Sequence, residues 1–479
     1  MTFVSKTPFV LALALMASPV LADQVPGAAA APAIPISGQD RFYSADQFSN
    51  TVSVVDPSTN SLLGVISLGE PTPANLSPLY RGQLLVHGIG AAPDGKTIAV
   101  VSIGSNSVSF IDTATNVVKH TTYVGRSPHE AFFTPDGKEV WVTVRGEAYI
   151  SVLDAATYQE TARVETPNGP GMTIFSPDGR YAYICSSFSP ETVVVGTATR
   201  EIVGRVAQAS PFCPDIAATP DGNQVWMTLK DVGKTMVFDA RPPFAVLQTL
   251  DTGPLTNHVN IVRNRDGQFA YVTVGTENVV KVFRTDTFDP VTEIAVGSLP
   301  HGLWPSGDGS RIYVGLENGD GVAVIDTLAN RVIATVPVGQ GPQGVTYVPR
   351  AVTEGDGKAN LMPLGTARAS RQLVLTGDGD ARSQATLFEQ GQVQMLQIAA
   401  AGLEPGKPYV IAFAETADGS GMLQPLAKFM TNPAGSAVVN AVGPIRQVVA
   451  ADAGAPRRWL VIASGSPEAI GPVVQRQSE

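Results

Sequence analysis

Pro-His-Glu-Ala-Phe-Phe-Thr-Pro-Asp-Gly-Lys-Glu-Val-Trp-Val-Thr-Val, residues 128–144, is the stretch on which the fold turns. A short run, Glu130 to Thr134, leads into Asp136-Gly137, and a second, Val140 to Val144, leaves it. Asp-Gly suits a hairpin because glycine accepts positive φ without a Cβ clash. The arrangement returns at Asp94-Gly95, Asp178-Gly179, Asp221-Gly222, Asp266-Gly267 and Asp308-Gly309, with spacings of 42, 42, 43, 45 and 42 residues. A fixed period of that length marks a repeat architecture.

Each unit continues through a third strand ending near Asp154 (compare Asp112, Asp239 and Asp326). A fourth, rich in Val and Thr, closes the unit at Gly125, Gly253, Gly297 or Gly339. Four antiparallel strands in about 40–45 residues make a propeller blade. Six turns account for six blades, and the ends supply another. Residues 41–69 hold the second to fourth strands of a unit, and residues 343–348 hold a first strand without the rest. Joined, they make a seventh blade and leave no free sheet edge.

Tyr271-Val-Thr-Val-Gly-Thr-Glu-Asn, Trp141-Val-Thr-Val-Arg-Gly and Tyr313-Val-Gly-Leu-Glu-Asn, with the Pro-x-Gly and Pro-Asp-Gly elements before them, resemble the Tyr-Val-Thr-Asn repeat of the YVTN family. The resemblance spans residues 41–350 and implies a seven-bladed fold. Related propellers include lactonases, quinoprotein and haem-d1 enzyme domains, metal chaperones and interaction scaffolds. Fold alone does not choose among them.

Lys6, the apolar run Phe9 to Leu15 and Val20-Leu21-Ala22 read as a signal peptide over residues 1–22. The expectation is export to the periplasm or beyond, after cleavage near Ala22. That run is too short to span a bilayer, and no other segment approaches about 20 uninterrupted apolar residues. Residues 23–40 are expected to be a disordered N-terminal segment, 41–350 the propeller and 351–362 a polar, Gly-rich linker. Beyond the linker the period disappears. Alternating runs such as Gln372-Leu-Val-Leu-Thr and Tyr409-Val-Ile-Ala-Phe-Ala predict a small Ig-like β-sandwich over 363–479. The whole chain is thus expected to be all-β.

The net charge of −10 and the lack of any Lys/Arg cluster exclude a nucleic-acid partner. The absence of Cys-x-x-Cys-His excludes covalently attached haem. No nucleophile elbow or His-Glu-x-x-His is present.

Chemistry gathers instead at one repeat position. His87, His129 and His301 each stand 7 residues before the Asp of a turn, and His258 stands 8 before. Gly171, Pro214 and Gln343 occupy the slot in the other blades, and His120 lies away from it. The first strand of a blade lines the channel, so this slot rings the mouth opposite the Asp-Gly turns. His87, His129 and His301 flank the blade of Gln343 as a one-sided cluster that His258 extends. Imidazoles so placed chelate zinc or copper, but copying of a Pro-His-Gly repeat also explains the alignment. Glu130, Asp215 and Asn257 are expected nearby. Arg145, Lys230, Glu277 and Glu317, after second strands, are candidates to reach the same mouth and bind an anionic ligand or act in acid–base chemistry, or simply to solvate a loop. The insertion from Pro71 to Gln83 is expected to cover part of the opening. Cys185 and Cys213 return to the same face on neighbouring blades and are candidates for a disulfide.

These residues support an exported binding protein holding a metal or small ligand at the mouth. A metal-dependent lactonase-like hydrolase, an oxidoreductase-associated propeller and a scaffold for other exported proteins remain open.

Overall fold

Alternating apolar and polar residues with a turn signal after each short run can bury their apolar faces only by stacking sheets, and seven four-stranded sheets do so here. The structure, a computed structural model, describes residues 34–68, 84–364, 370–379, 381–389, 394–443, 445, 448 and 456–478. The expected signal peptide, most of the 23–40 segment and the 71–83 insertion lie outside the described residues.

Six blades run in chain order from the inner strands Val86–Ala91, Pro128–Phe133, Pro170–Phe175, Ile216–Ala218, Thr256–Asn264 and Pro300–Pro305. They are blades 1 to 6. Blade 7 joins the two ends of this domain, with inner strand Pro342–Val348 pairing Arg41–Asp46 in the register Phe42 with Tyr347 and Tyr43 with Thr346. Inner strands are buried along their length, save Arg263 and Asn264 at the end of the blade 5 strand. The outermost, such as Glu160–Glu165, turn charged residues to water at alternate positions.

The large aromatic of the repeat, five residues after the Asp, explains the Tyr in the motif. Trp141, Tyr183, Trp226, Tyr271 and Tyr313 are fully buried between blades. The hydroxyls reach across the gap: Tyr183 donates to the Ala240 carbonyl at 2.6 Å, and Tyr271 to Asn330 Oδ1 at 2.8 Å. A Phe in place of Tyr183 would leave that carbonyl without its donor.

Blade 7 is closed partly by Asp46, whose carboxylate accepts from Ser53 at 2.6 Å, Thr51 at 3.1 Å and Ser44 at 2.9 Å. Loss of water outweighs these hydrogen bonds and pushes the carboxyl up to about 7 from its ordinary 3.8. Between those values the unfolded chain has released the proton and the folded chain has kept it. Stability therefore falls as pH rises from about 4 to about 7. Asp46→Asn removes this titration and is expected to flatten the fall by up to about 1.4 kcal/mol per pH unit. Urea unfolding at several pH values in that window reads the slope, and an unchanged slope would mean that Asp46 does not contribute.

The C-terminal strands form one antiparallel sheet of eight, barrel-like in its curl. Gln424–Met430 lies at one edge and Ala437–Gly443 at the other, with Ser370–Gly377 and Ala469–Gln477 adjacent near the middle. Leu375, Leu396, Ile398, Ile411, Leu460 and Ile462 fill its core. The segment after Val348 does not leave the propeller freely. Asn116 Nδ2 donates to the carbonyls of Gly357 and Ala359 at 3.0 and 2.9 Å, and Met362 bridges to Val65.

This second domain sits on the propeller face that carries the inner-strand starts. Phe388 and Met395 pack on Phe48 of blade 7, and Ala399 on Leu255 and Leu299 of blades 5 and 6. Polar contacts extend the seam. Thr386 donates to the Asn318 carbonyl at 3.1 Å, and Ala434 N to the Asp231 carbonyl at 3.1 Å.

Candidate functional site

The inner strands of blades 1, 2, 5 and 6 start irregularly. Register shifts fall between Val86 and Ile89, Pro128 and Ala131, Thr256 and Val259, and Pro300 and Leu303. An extra residue in one strand re-aims a side chain, and the residues inside these bulges are His87, His129 with Glu130, Asn257 with His258, and His301. The glycine that follows two of these histidines answers a different need. A Cβ on Gly88 would lie 2.2 Å from the His129 carbonyl oxygen, and one on Gly302 2.2 Å from that of Gln343. Neighbouring inner strands meet there too closely for any side chain.

The four histidines form an arc across blades 2, 1, 6 and 5. Ring centroids stand 4.5 Å apart for His129 and His87, 6.2 Å for His87 and His301, and 4.4 Å for His301 and His258. All four are buried, at 4–7 % exposure. His129 Nδ1–H donates to the Gly171 carbonyl at 2.7 Å, which leaves its Nε2 with the lone pair. That atom faces His87 Nε2 at 2.9 Å, so His87 is the donor of the pair. His258 Nδ1 lies 3.6 Å from Asp215 Oδ2, and His301 Nε2 lies 3.9 Å from Glu317 Oε2.

Burial sets the charge states. Loss of water, then the nearby cations Arg145 and Lys230, hold His87 well below the ordinary imidazole range. His129 and His301 follow for the same leading reason, and His258 is pushed down to about 3. Desolvation drives Glu130 and Asp215 well above the carboxylate range. It raises Glu317 too, against the pull of Lys230 and of the nearby Gln343 and Gln397 amides. At neutral pH the arc is therefore four neutral imidazoles beside desolvated carboxyls.

His87, His129 and Glu130 offer ligand atoms that all lie within 4.8 Å of one another, a group able to hold a metal ion. Two imidazole nitrogens around a tetrahedral ion at about 2.0–2.1 Å stand about 3.3 Å apart. The present pair would open by about 0.4 Å from 2.9 Å to admit one. Beneath the arc, the channel between Glu130, Asp215, His258, Asn260, Met172 and Trp304 leaves about 20 Å³. That is room for about one water.

Asn257 Nδ2 is engaged on the Pro300 carbonyl at 2.7 Å, so its amide braces blade 6 while Oδ1 has no partner. Glu277 does not join the mouth and pairs with Lys281 at 2.8 Å. His120 stacks on Tyr158 on the outer side of blade 1. Cys185 and Cys213 are disulfide-bonded, Cα atoms 5.9 Å apart, and tie blade 3 to the start of blade 4 beside the mouth. The bond closes a 28-residue separation. Chain-entropy reasoning gives about 3–4 kcal/mol for a loop of that size. The Cys185→Ser, Cys213→Ser double variant is expected to lose that much in chemical unfolding, and a loss under about 1 kcal/mol would refute the estimate.

Two site residues escaped sequence reasoning. Gln397 comes from the capping domain, and nothing local marks it. Ser187 stands nine residues after Asp178, the offset of Arg145 from Asp136 and of Lys230 from Asp221. That shared offset was a usable signal.

Fold and site together define an all-β, seven-bladed propeller whose histidine-bearing mouth is closed by a second β domain. A family model described as "Lactonase, 7-bladed beta-propeller" matches residues 95–330, just under half of the chain. No curated protein matches. Among solved structures, a functionally unknown protein from Desulfotomaculum acetoxidans is similar at TM-score 0.55 and 16 % identity, covering 64 % of this chain and 98 % of that one. Kuenenia stuttgartiensis hydrazine synthase is similar at TM-score 0.50 and 21 % identity, covering 56 % and 90 %. Dihydro-heme d1 dehydrogenase NirN reaches TM-score 0.47 at 12 % identity, covering 86 % and 76 %. At these identities the first two likenesses show the propeller fold alone. No helix among the described residues is long and apolar enough to cross a membrane.

Proposed function

We propose that this protein is an exported binding protein that holds a divalent transition-metal ion, zinc or copper, at the capped mouth of its propeller. One observation carries the reading: His87, His129 and Glu130 converge within 4.8 Å, buried, with both imidazoles neutral. Neutral nitrogen with one carboxylate oxygen is the donor set those ions prefer. The Gly171 carbonyl on His129 Nδ1 is the outer-shell contact that orients a ligand ring. Glu130 must give up its proton to bind, so uptake releases protons and weakens in acid. The disulfide and the signal-like leader support an oxidising, exported location.

The family-model match favours a second reading, metal-dependent hydrolysis of a lactone. The channel below the arc is too small to take such a substrate. Small-molecule sites occupy about 300–1,000 Å³, and the space beneath the arc is about 20 Å³. Titrating the metal-stripped mature protein with zinc and with copper tests the first reading. One ion per chain with proton release is expected, and no uptake of either would overturn it. Turnover of simple lactones by the metal-loaded protein would favour the second.

A further inference from the structure

The mouth has a second half that the histidines do not occupy. Arg145, Ser187 and Lys230 stand at the same repeat offset on three consecutive blades, 2, 3 and 4, directly after the second strands. They project to the rim that the histidine slot also reaches. Arg145 and Lys230 both lie near enough to depress the His87 imidazole, and Arg145 depresses the Lys230 ammonium.

Neither cation has an ion-pair partner among the described residues, and Lys230 Nζ stands over the Phe212 ring at 5.9 Å from its centroid. Among the described residues no carboxylate lies within 4.0 Å of the Arg145 or Lys230 charge. The carboxyls they feel most, Glu130 and Glu317, are themselves desolvated. Between the two cations, Ser187 is 5 % exposed and its hydroxyl has no hydrogen-bond partner. That Oγ lies 2.6 Å from where a Cβ on Gly171 would be. Gly171 holds the slot that carries histidine in four other blades, so the hydroxyl points into space that a side chain fills elsewhere in the ring. Blades 3 and 4 bring Gly171 and Pro214 to this slot, and the disulfide holds these two blades together behind it.

Two uncompensated cations flanking a buried, unpartnered hydroxyl are what a bound oxyanion would satisfy: charge-assisted hydrogen bonds from both sides and a neutral donor in the middle. We propose that Arg145, Ser187 and Lys230 form an oxyanion-binding site, for a carboxylate or phosphate group, beside the histidine arc. It uses no metal-ligand candidate and stands whether or not a metal is bound.

The test is calorimetric titration of the metal-stripped mature protein with inorganic phosphate and, separately, with oxalate. Binding of at least one is expected, and the tighter of the two identifies the chemistry. The Arg145→Gln, Lys230→Gln double variant is expected to weaken it by roughly 10- to 100-fold, the worth of charge-assisted hydrogen bonds. Lys230→Arg keeps the charge and should retain binding. Ser187→Ala should weaken it by a few-fold, about what one neutral hydrogen bond contributes. Thermal melting of each variant confirms folding. Should the double variant not fold, the milder Ser187→Ala and ligand-induced stabilisation of the wild type still decide the matter. No binding of either anion by the wild type, or equal binding by a folded double variant, overturns the proposal. Metal uptake measured in parallel on His87→Ala, His129→Ala separates the two sites: that variant should lose metal and keep the anion.

Discussion

Replacing His87 and His129 together by alanine is expected to abolish metal retention while leaving the propeller folded. Altering merely an outer-shell contact costs about 10- to 100-fold in metal affinity, and this variant removes two donors at once. The loss should therefore exceed about 100-fold. Folding should survive because neither ring carries a contact the blades depend on. His87 Nδ1 has no partner, and the slot is Gly171 or Pro214 in other blades. What the variant gives up is the His87–His129 bond, both of whose partners go together, and the His129 bond to the Gly171 carbonyl, which keeps a second donor in Thr143 Oγ1 at 3.1 Å. Elemental analysis of the dialysed protein gives stoichiometry. Melting with and without added metal gives linkage, since an ion at 100 times its dissociation constant stabilises by about 2.7 kcal/mol. Wild type should show that gain and the variant none. Equal metal in both would remove His87 and His129 from the site.

Gly88→Ala should be the most damaging small substitution at the mouth. The added methyl would sit 2.2 Å from the His129 carbonyl oxygen, 2.4 Å from Glu130 Oε2 and 2.8 Å from the Glu130 Cα. Two of those three atoms are backbone, so relief requires the inner strands of blades 1 and 2 to part. Overpacking a tight interior costs about 1–3 kcal/mol and at times more, and here the upper end is expected because rigid strands oppose each other. Parting them also separates His87 from His129, so metal affinity should fall with stability. Gly38→Ala is the control: its new Cβ meets nothing nearer than 3.8 Å, and a change within about 0.5 kcal/mol is expected. Urea unfolding compares them. A Gly88→Ala protein as stable as wild type would mean that the blades are not pressed together at the axis.

The two variants probe different parts of the same tripeptide. In Val86-His87-Gly88 the glycine answers to packing, and the histidine is left to chemistry. Sequence spacing alone could not separate these, because both residues recur with the repeat. The contacts of Gly88 and Gly302 with the neighbouring strands separate them.

Much of the architecture was legible in the sequence because its cause is local and repeated. Asp-Gly turns, the aromatic five residues on and the split unit at the ends specify seven blades and their closure through Phe42 and Tyr347. The order of the histidine arc around the channel follows from the same count. Of the two roles open to Glu277 from the sequence, the structure shows it paired with Lys281, four residues away on the adjoining strand. The insertion expected to shade the opening lies outside the described residues, and among the described residues the C-terminal domain covers that opening, through Phe388 on Phe48 and Gln397 toward Glu317.

By itself, then, the sequence determined the ring: short-range turn chemistry and a fixed period leave few other ways to bury alternating strands. Only the tertiary structure decided what the ring encloses. The 2.9 Å approach of His87 to His129, the neutral state of the imidazoles and the unpaired charges of Arg145 and Lys230 arise where separate blades and a second domain exclude water together. Desolvation depends on everything packed around a group, and no local spacing records it.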